Sequence, residues 1–276
     1  MLVDLKQILA IGEERECAIP AFNVYNLETA IGVCDAAMDT GAPVIFQMYS
    51  RLFDDPASRY LAPMILEMIA SLPTPAAFHL DHGAGKPEVL RALRYGTSGV
   101  MIDASIHSLE ENIRITKEVV QICKEVNVSV EGELGHIGTT KDTSLSEYTN
   151  VEEAVQYVRE TGVSALAIMV GTAHGHYKQA PVLDMDRIKE VKEAVQIPLV
   201  LHGGSGVPDE QIRRSIAAGI RKINFGTDVC CSFLDSVFNV SRDIIAVDLF
   251  MKEPIQAVKR FAIDKINLLG VRECMR

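Results

Sequence analysis

Residues 198–225 read PLVLHGGSGVPDEQIRRSIAAGIRKINF, and this stretch decides the fold. A short apolar run, Pro198–Leu201, gives way to a glycine-rich loop. Asp209–Ala218 follows with apolar residues at three- and four-residue spacing, and Gly219 stands where a left-handed residue turns the chain into the next run, Lys222–Phe225. The order is strand, loop, helix, strand, and it repeats outward. Further strand candidates are Cys17–Phe22, Pro43–Met48, Ala76–Leu80, Gly99–Ile102, Val128–Glu131 and Ala165–Val170. Between them lie helical patterns at Leu27–Thr40, Glu88–Tyr95, Leu109–Val126, Val151–Thr161 and Met185–Val195. Ser108, placed before Glu110 and Glu111, starts one helix, and Gly96 and Gly162 close others. An open doubly wound sheet would have fewer strands or a second domain. Eight βα units in 276 residues therefore predict an α/β chain of one domain, residues 1–276, folded as a (β/α)8 TIM barrel with Lys252–Leu269 as a C-terminal helical extension.

The chain is 48% hydrophobic and 23% charged, the profile of an ordinary globular protein. Its formal charge of −10 excludes holding nucleic acid or an anionic membrane by bulk electrostatics, since either needs a positive field. An anionic substrate would have to be held by local groups. Six cysteines without a C-x-x-C pair, in a chain too large to need disulfide staples, read as those of a reducing cytosol. The opening residues are charged too early for a secretory signal, and no apolar run approaches the roughly 18 to 20 residues of a membrane span.

In a barrel of this kind chemistry sits where strands end, so polar residues just after strands carry most weight. Three of the seven histidines stand there: His82 in HLDHG, His174 in MVGTAHG and His202 in LVLHGGSG. One such histidine is ordinarily a hydrogen-bonded loop residue. Three converging on one mouth form a catalytic zinc arrangement, with neutral nitrogen donors and a fourth position open to a substrate oxygen. Asp81 shares strand parity with His79, so both should face the barrel axis, His79 as a structural residue. Asp81 is placed either for proton transfer or to orient a ligand imidazole. Asp103 and Glu133 follow the fourth and fifth strands, and could form a second cation site or hold the histidines; Glu131, lower on the same face, reads as structural.

The loops Gly203-Gly204-Ser205-Gly206 and Asn224-Phe225-Gly226-Thr227 follow the seventh and eighth strands, where barrels commonly build a phosphate site. Glycines let backbone N–H groups converge on phosphate oxygens, so an acidic protein can hold a phosphate without a basic patch. A Lewis-acidic metal, a carboxylate and a phosphate clamp together suit carbon–carbon cleavage of a phosphorylated sugar through an enediolate.

Nearly the whole chain resembles the class II, zinc-dependent ketose-bisphosphate aldolases, the family of fructose- and tagatose-bisphosphate aldolases. The segments are PAFNVYNLE, GAPVI, HLDHG, GVMIDAS, SVEGELGHIG, HGHY, PLVLHGGSGVP and KINFGTD. The resemblance implies that His82, His174 and His202 bind the catalytic Zn²⁺, that Asp81 is the acid/base, and that Asp103 and Glu133 match a second divalent site. It implies that Gly175, Gly203, Gly204, Ser205, Asn224, Phe225, Gly226 and Thr227 hold the dihydroxyacetone phosphate half, often beside a monovalent cation. The implied reaction is a retro-aldol cleavage in which Asp81 takes the C4 hydroxyl proton. A cytoplasmic homodimer or homotetramer acting on a phosphorylated sugar follows as the expectation.

Two departures bear on substrate. The loop ELGHIGTTKDTSLSEY carries Lys141 where the family places an acid, leaving Asp142 and Glu147 as candidate substitutes. The D-P-R segment whose arginine grips a distal phosphate aligns with Ala246-Val247-Asp248, and Arg242 or Lys252 would have to reach in from another register. An aspartate there would repel a phosphate, so a ketose 1-phosphate with a neutral or carboxylated distal end suits the site as well as a 1,6-bisphosphate. Three rivals remain: a Schiff base on Lys222, which would leave the histidines unexplained; a metal-dependent sugar-phosphate hydrolase, which usually shows H-x-H on its first strand rather than His174-Gly-His176 after the sixth; and a non-catalytic or regulatory aldolase-like subunit.

Overall fold

A computed structural model of the chain describes residues 1–135, 148–173, 175, 177 and 180–274. Eight parallel strands close into a barrel in sequence order: β1 (Ile19–Asn23), β2 (Val44–Tyr49), β3 (Ala76–Gly83), β4 (Gly99–Ile102), β5 (Ser129–Leu134), β6 (Ala165–Ile168), β7 (Leu199–Leu201) and β8 (Ile220–Phe225). The helices are α1 (Leu5–Arg15), α2 (Leu27–Thr40), α3 (Ser50–Asp54), α4 (Ser58–Ser71), α5 (Lys86–Arg94), α6 (Leu109–Lys124), α7 (Val151–Thr161), α8 (Met185–Val195), α9 (Asp209–Ala218), α10 (Thr227–Asn239), α11 (Val247–Phe250), α12 (Lys252–Leu268) and α13 (Val271–Cys274). This is the (β/α)8 barrel with a C-terminal helical extension that the alternation predicts. No helix among the described residues is long and apolar enough to cross a membrane.

Local chemistry fixes the connections. Ser108 accepts from the Glu111 N–H, and Asn150 accepts from Glu152 and Glu153, so each side chain satisfies donors left open at a helix start. Gly96, Gly162 and Gly219 all have positive φ, as a helix-to-strand reversal requires. Lys252–Leu268 packs along α2 so closely that a Cβ on Gly32 would sit 2.7 Å from that of Val258.

The sequence pattern did not mark α1, which closes the N-terminal end of the barrel. Leu5, Ile8 and Leu9 are fully buried there, each stabilising the fold by roughly 1.5–3 kcal/mol. Asp4 caps α1 by accepting from Lys6 N–H at 2.7 Å, and its other oxygen accepts from Ser129 N–H at 2.8 Å at the foot of β5. One residue thus starts the helix and ties it across the barrel floor.

Two strands run further than the apolar runs suggested. β3 continues past Leu80 through Gly83, and β5 continues past Glu131 through Leu134. Glu133 therefore lies within its strand rather than after it. Polar residues end an apolar run but not a ladder, because backbone pairing continues wherever the side chains find partners inside the barrel.

Candidate active site

β3 carries the first two functional residues on a distortion of the strand. Leu80 pairs with Val100 of β4, but Gly83 pairs with Ile102, so three steps on β3 oppose two on β4. This is a bulge, and within it His82 adopts φ 52°. In a regular strand Asp81 and His82 would face opposite sides of the sheet. The extra residue brings both to one site: the Asp81 carboxylate lies 4.0 Å from His82 Nε2 and is almost fully buried.

His82 and His202 face one another edge to face, with His82 Nε2 and His202 Nδ1 3.1 Å apart. Each ring's other nitrogen meets a carboxylate. His82 Nδ1 lies 2.9 Å from Asp103, and His202 Nε2 lies 2.9 Å from Glu131. A carboxylate selects the tautomer whose N–H points at it, which leaves both facing nitrogens as lone-pair donors. Two lone pairs at that separation need a proton between them, which the raised His82 pKa supplies in the metal-free site, or a metal cation in its place. The donor chemistry therefore fits a metal such as Zn²⁺ bound by His82 and His202, with Asp81 beside it. The third predicted ligand, His174, lies outside the described residues.

Asp103 and Glu133 also converge with His82 as a group able to hold a cation. Ser105 Oγ bridges them, 2.7 Å from Asp103 and 3.1 Å from Glu133. The hydroxyl has one proton, so it donates to one carboxylate at a time. Either role predicted for these acids, second cation site or support for His82, is compatible with this geometry.

Charge follows from burial and partners. Burial opposes ionisation of Asp81, yet His82, His202 and Lys222, with an Asn23 amide at 2.7 Å, hold its pKa below the usual value. Burial likewise opposes the Glu131 carboxylate, but Lys222 at 2.7 Å and the His202 and His79 rings keep it well below. Burial alone would lower the His82 pKa; Asp81, Asp103 and Glu133 outweigh it and raise it to about 9. Among the described residues four carboxylates thus surround three rings and one lysine, and the site calls for further positive charge.

The family profile described as "Fructose-bisphosphate aldolase class-II" matches residues 3–273. This chain belongs to the class II fructose-bisphosphate aldolase family. YdjI, an uncharacterized protein of Escherichia coli K12, is 35% identical over 275 residues, covering 98% of each chain. The crystal structure of the YdjI aldolase from that organism is similar with a TM-score of 0.90 at 33% identity, over 99% of this chain and 98% of that one. A fructose-bisphosphate aldolase from Campylobacter jejuni gives a TM-score of 0.84 at 22% identity, over 98% of this chain and 96% of that one, a likeness of fold.

In this aldolase-family chain the two predicted anion loops meet at the barrel mouth. Gly203 has φ 66°, and a Cβ there would lie 2.4 Å from Ala173 O, so no other residue fits. Ser205 Oγ accepts from Asp228 N–H at 3.1 Å at the start of α10, and Asp228 accepts from Gly206 N–H at 3.3 Å. These bonds brace the loop after β7 against the first turn of α10, where Gly226 and Thr227 lie. Gly175 has φ 108°. Asn224 turns inward, its amide 3.3 Å from both Asp81 and His202. Phe225 turns the other way and stacks on Phe22 at 5.9 Å, so only its backbone can serve the anion site. Lys141, Asp142, Glu147 and His176 lie outside the described residues.

Four contributors escaped the sequence reading. Glu131, read as structural, is fully buried and holds both His202 and Lys222. Lys222 is committed to that pair, which removes it as an exposed amine for a Schiff base. Gln47 donates to Asn23 at 3.2 Å and Asn23 donates to Asp81, a relay from β2 to β3 through β1. Tyr177 Oη accepts from Ala173 N–H at 2.8 Å and lies 3.0 Å from Gly203 O, joining the loops after β6 and β7. Strand parity put Glu131 on the face of Glu133, but its depth in the strand hid its partners, and on β1 no singled-out residue pointed to Asn23.

Proposed function

We propose that this chain is a zinc-dependent aldolase that reversibly cleaves a phosphorylated ketose, either a ketose 1-phosphate or a fructose or tagatose 1,6-bisphosphate, into dihydroxyacetone phosphate and an aldehyde. The observation that carries this reading is the pair of imidazole nitrogens 3.1 Å apart, each ring locked by a carboxylate, beside a buried ionised Asp81. His82 and His202, with His174, would hold the metal, whose chemistry when bound is to polarise the ketose carbonyl and accept charge as the carbon–carbon bond breaks.

The chain's own residues supply the remainder. Asp81, kept ionised, takes the C4 hydroxyl proton in cleavage and returns it in condensation. Asn23 and Asn224 fix its two oxygens from the neighbouring strands β1 and β8. The buried Asn224 Oδ1 has no donor among the described residues, so a substrate hydroxyl can complete its bonding. Backbone N–H groups of the glycine loop and the first turn of α10 hold the 1-phosphate without a basic patch. Asp103 and Glu133, which could take a second divalent ion, orient His82 through Asp103.

Dihydroxyacetone phosphate release from fructose and tagatose 1-phosphates and 1,6-bisphosphates, before and after chelation and zinc restoration, tests this reading. Release that chelation abolishes and zinc restores is expected. Inorganic phosphate release instead would favour a hydrolase, and no release with zinc bound would overturn catalysis on these sugars.

A further inference from the structure

Resting on that reading, the rim of the site names the far end of the substrate. A ketose with its phosphate on the loops after β7 and β8, and its C4 hydroxyl at Asp81, can send its remaining carbons to either side of β3. On the β4–β5 side stand Asp103 and Glu133, which repel an anion. On the β1–β2 side stand Tyr25, Tyr49 and Arg51. Tyr49 pairs with Asp81 across the β2–β3 ladder, and its ring centroid lies 5.8 Å from that of His82. Tyr25 follows Asn23 by two residues, and its hydroxyl lies 3.3 Å from where a Cβ on Gly226 would be. Both phenols are raised in pKa, first by burial, and both feel Asp81 upward and Arg51 downward. Arg51 stands over both rings at this side of the mouth.

The guanidinium of Arg51 lies 5.0 Å from the Tyr49 ring centroid and 5.9 Å from that of Tyr25. Two aromatic faces hold the charged fork while leaving its N–H edge open to oxygen. Among the described residues no carboxylate lies within 4.0 Å of it. The lysine charge felt at Asp81, Lys222, is fully buried and spent on Glu131. We propose that Arg51 is a specificity-determining residue that binds an oxyanion, carboxylate or phosphate, at the distal end of the ketose phosphate. This gives the chain a distal cation on α3, directly after β2, where the C-terminal Ala246-Val247-Asp248 offers none.

The test compares fructose 1-phosphate, whose distal end is neutral, with its 6-phosphate and its 6-carboxylate. Wild-type kcat/KM should favour the charged ends by about 10- to 100-fold, chiefly through KM. Arg51→Met should bring that ratio near one, and Arg51→Lys should keep part of it. Arg59→Met, which removes an arginine stacked on Tyr60 at 4.8 Å on α4, should leave the ratio unchanged. Calorimetric affinities for the same three sugars in an Asp81→Asn background read the ratio without turnover, so the inference is decided even if cleavage fails. A ratio indifferent to Arg51→Met, a preference for the neutral end, or an equal loss in Arg59→Met overturns the proposal. A charged-end preference lost only at Arg51 supports it, and the better of the two anions identifies the group.

Discussion

At the N-terminal end of the barrel, α1 lays Leu5, Ile8 and Leu9 across the strands, and its polar cap, Asp4, is fully satisfied by backbone and Ser129. At the C-terminal end the same strands turn His79, Asp81, Glu131, Glu133, His202, Lys222 and Asn224 into an interior just as buried. One end excludes water with apolar surface. The other excludes it with charge, at a bulge in β3 and beside a glycine loop that tolerates no Cβ at Gly203. Burial itself is therefore neutral about purpose; what separates floor from mouth is whether the buried groups satisfy one another or await a ligand.

Asp81→Asn breaks the comparison most sharply. It keeps the shape and one of the two hydrogen bonds accepted from Asn23 and Asn224 but removes the charge that takes the proton, so kcat should fall about 10²- to 10⁴-fold. Metal-free protein should also lose some stability, because a carboxylate whose pKa the fold lowers is stabilised in its charged form by its partners. Steady-state kinetics and thermal unfolding of the same preparation check both halves. A large drop in Tm with kcat retained would show that Asp81 belongs to the scaffold.

Lys222→Met tests the layer between the two ends. It strands the Glu131 carboxylate in the barrel, at a cost of about 3–5 kcal/mol. Because Glu131 orients His202, zinc affinity should also fall, about 10- to 100-fold by chelator competition. Adding Glu131→Gln should recover much of the stability and little of the affinity, since the pair is then neutral but the ring has lost its carboxylate. Equal recovery of both would mean that Glu131 acts only as a counter-charge.

Leu5→Ala probes the floor. It removes a fully buried isobutyl group and leaves a cavity under the strands, and should cost about 2–5 kcal/mol with kcat unchanged. Chemical denaturation and kinetics separate the two effects. A matching loss of kcat would mean that the floor positions the mouth.

The legibility of the sequence follows the same division. The eight-fold alternation was readable because helices and strands here bury apolar faces with clean periods. Asp81, His82, Asp103, Glu133 and His202 were readable because polar residues at strand ends stand out against apolar runs. The bulge was not, since nothing in HLDHG says that one residue is unpaired. The Glu131–Lys222 pair was not legible, because position along a strand does not reveal which facing side chain completes a pair across the barrel. α1 went unmarked because its buried residues are few and its exposed face is ordinary.

Tyr177 gives the smallest effect and joins the two arguments, since it is a mouth residue with a purely structural contact set. Its hydroxyl bonds the Ala173 backbone and lies beside Gly203 O, and burial pushes its pKa up to about 12, only partly offset by the Ala173 bond. A tyrosine raised on folding stabilises while it stays protonated. Its contribution is complete below about pH 10, the ordinary tyrosine value, and is lost as the pH climbs through about 12. Tyr177→Phe should therefore cost about 1 kcal/mol at neutral pH and flatten part of the alkaline fall in Tm. Because the lost bonds fix Gly203, KM for the phosphorylated ketose should rise more than kcat falls. If the alkaline limb is unchanged, the hydroxyl does not hold the two loops together, and the glycine loop keeps its shape through the first turn of α10 alone.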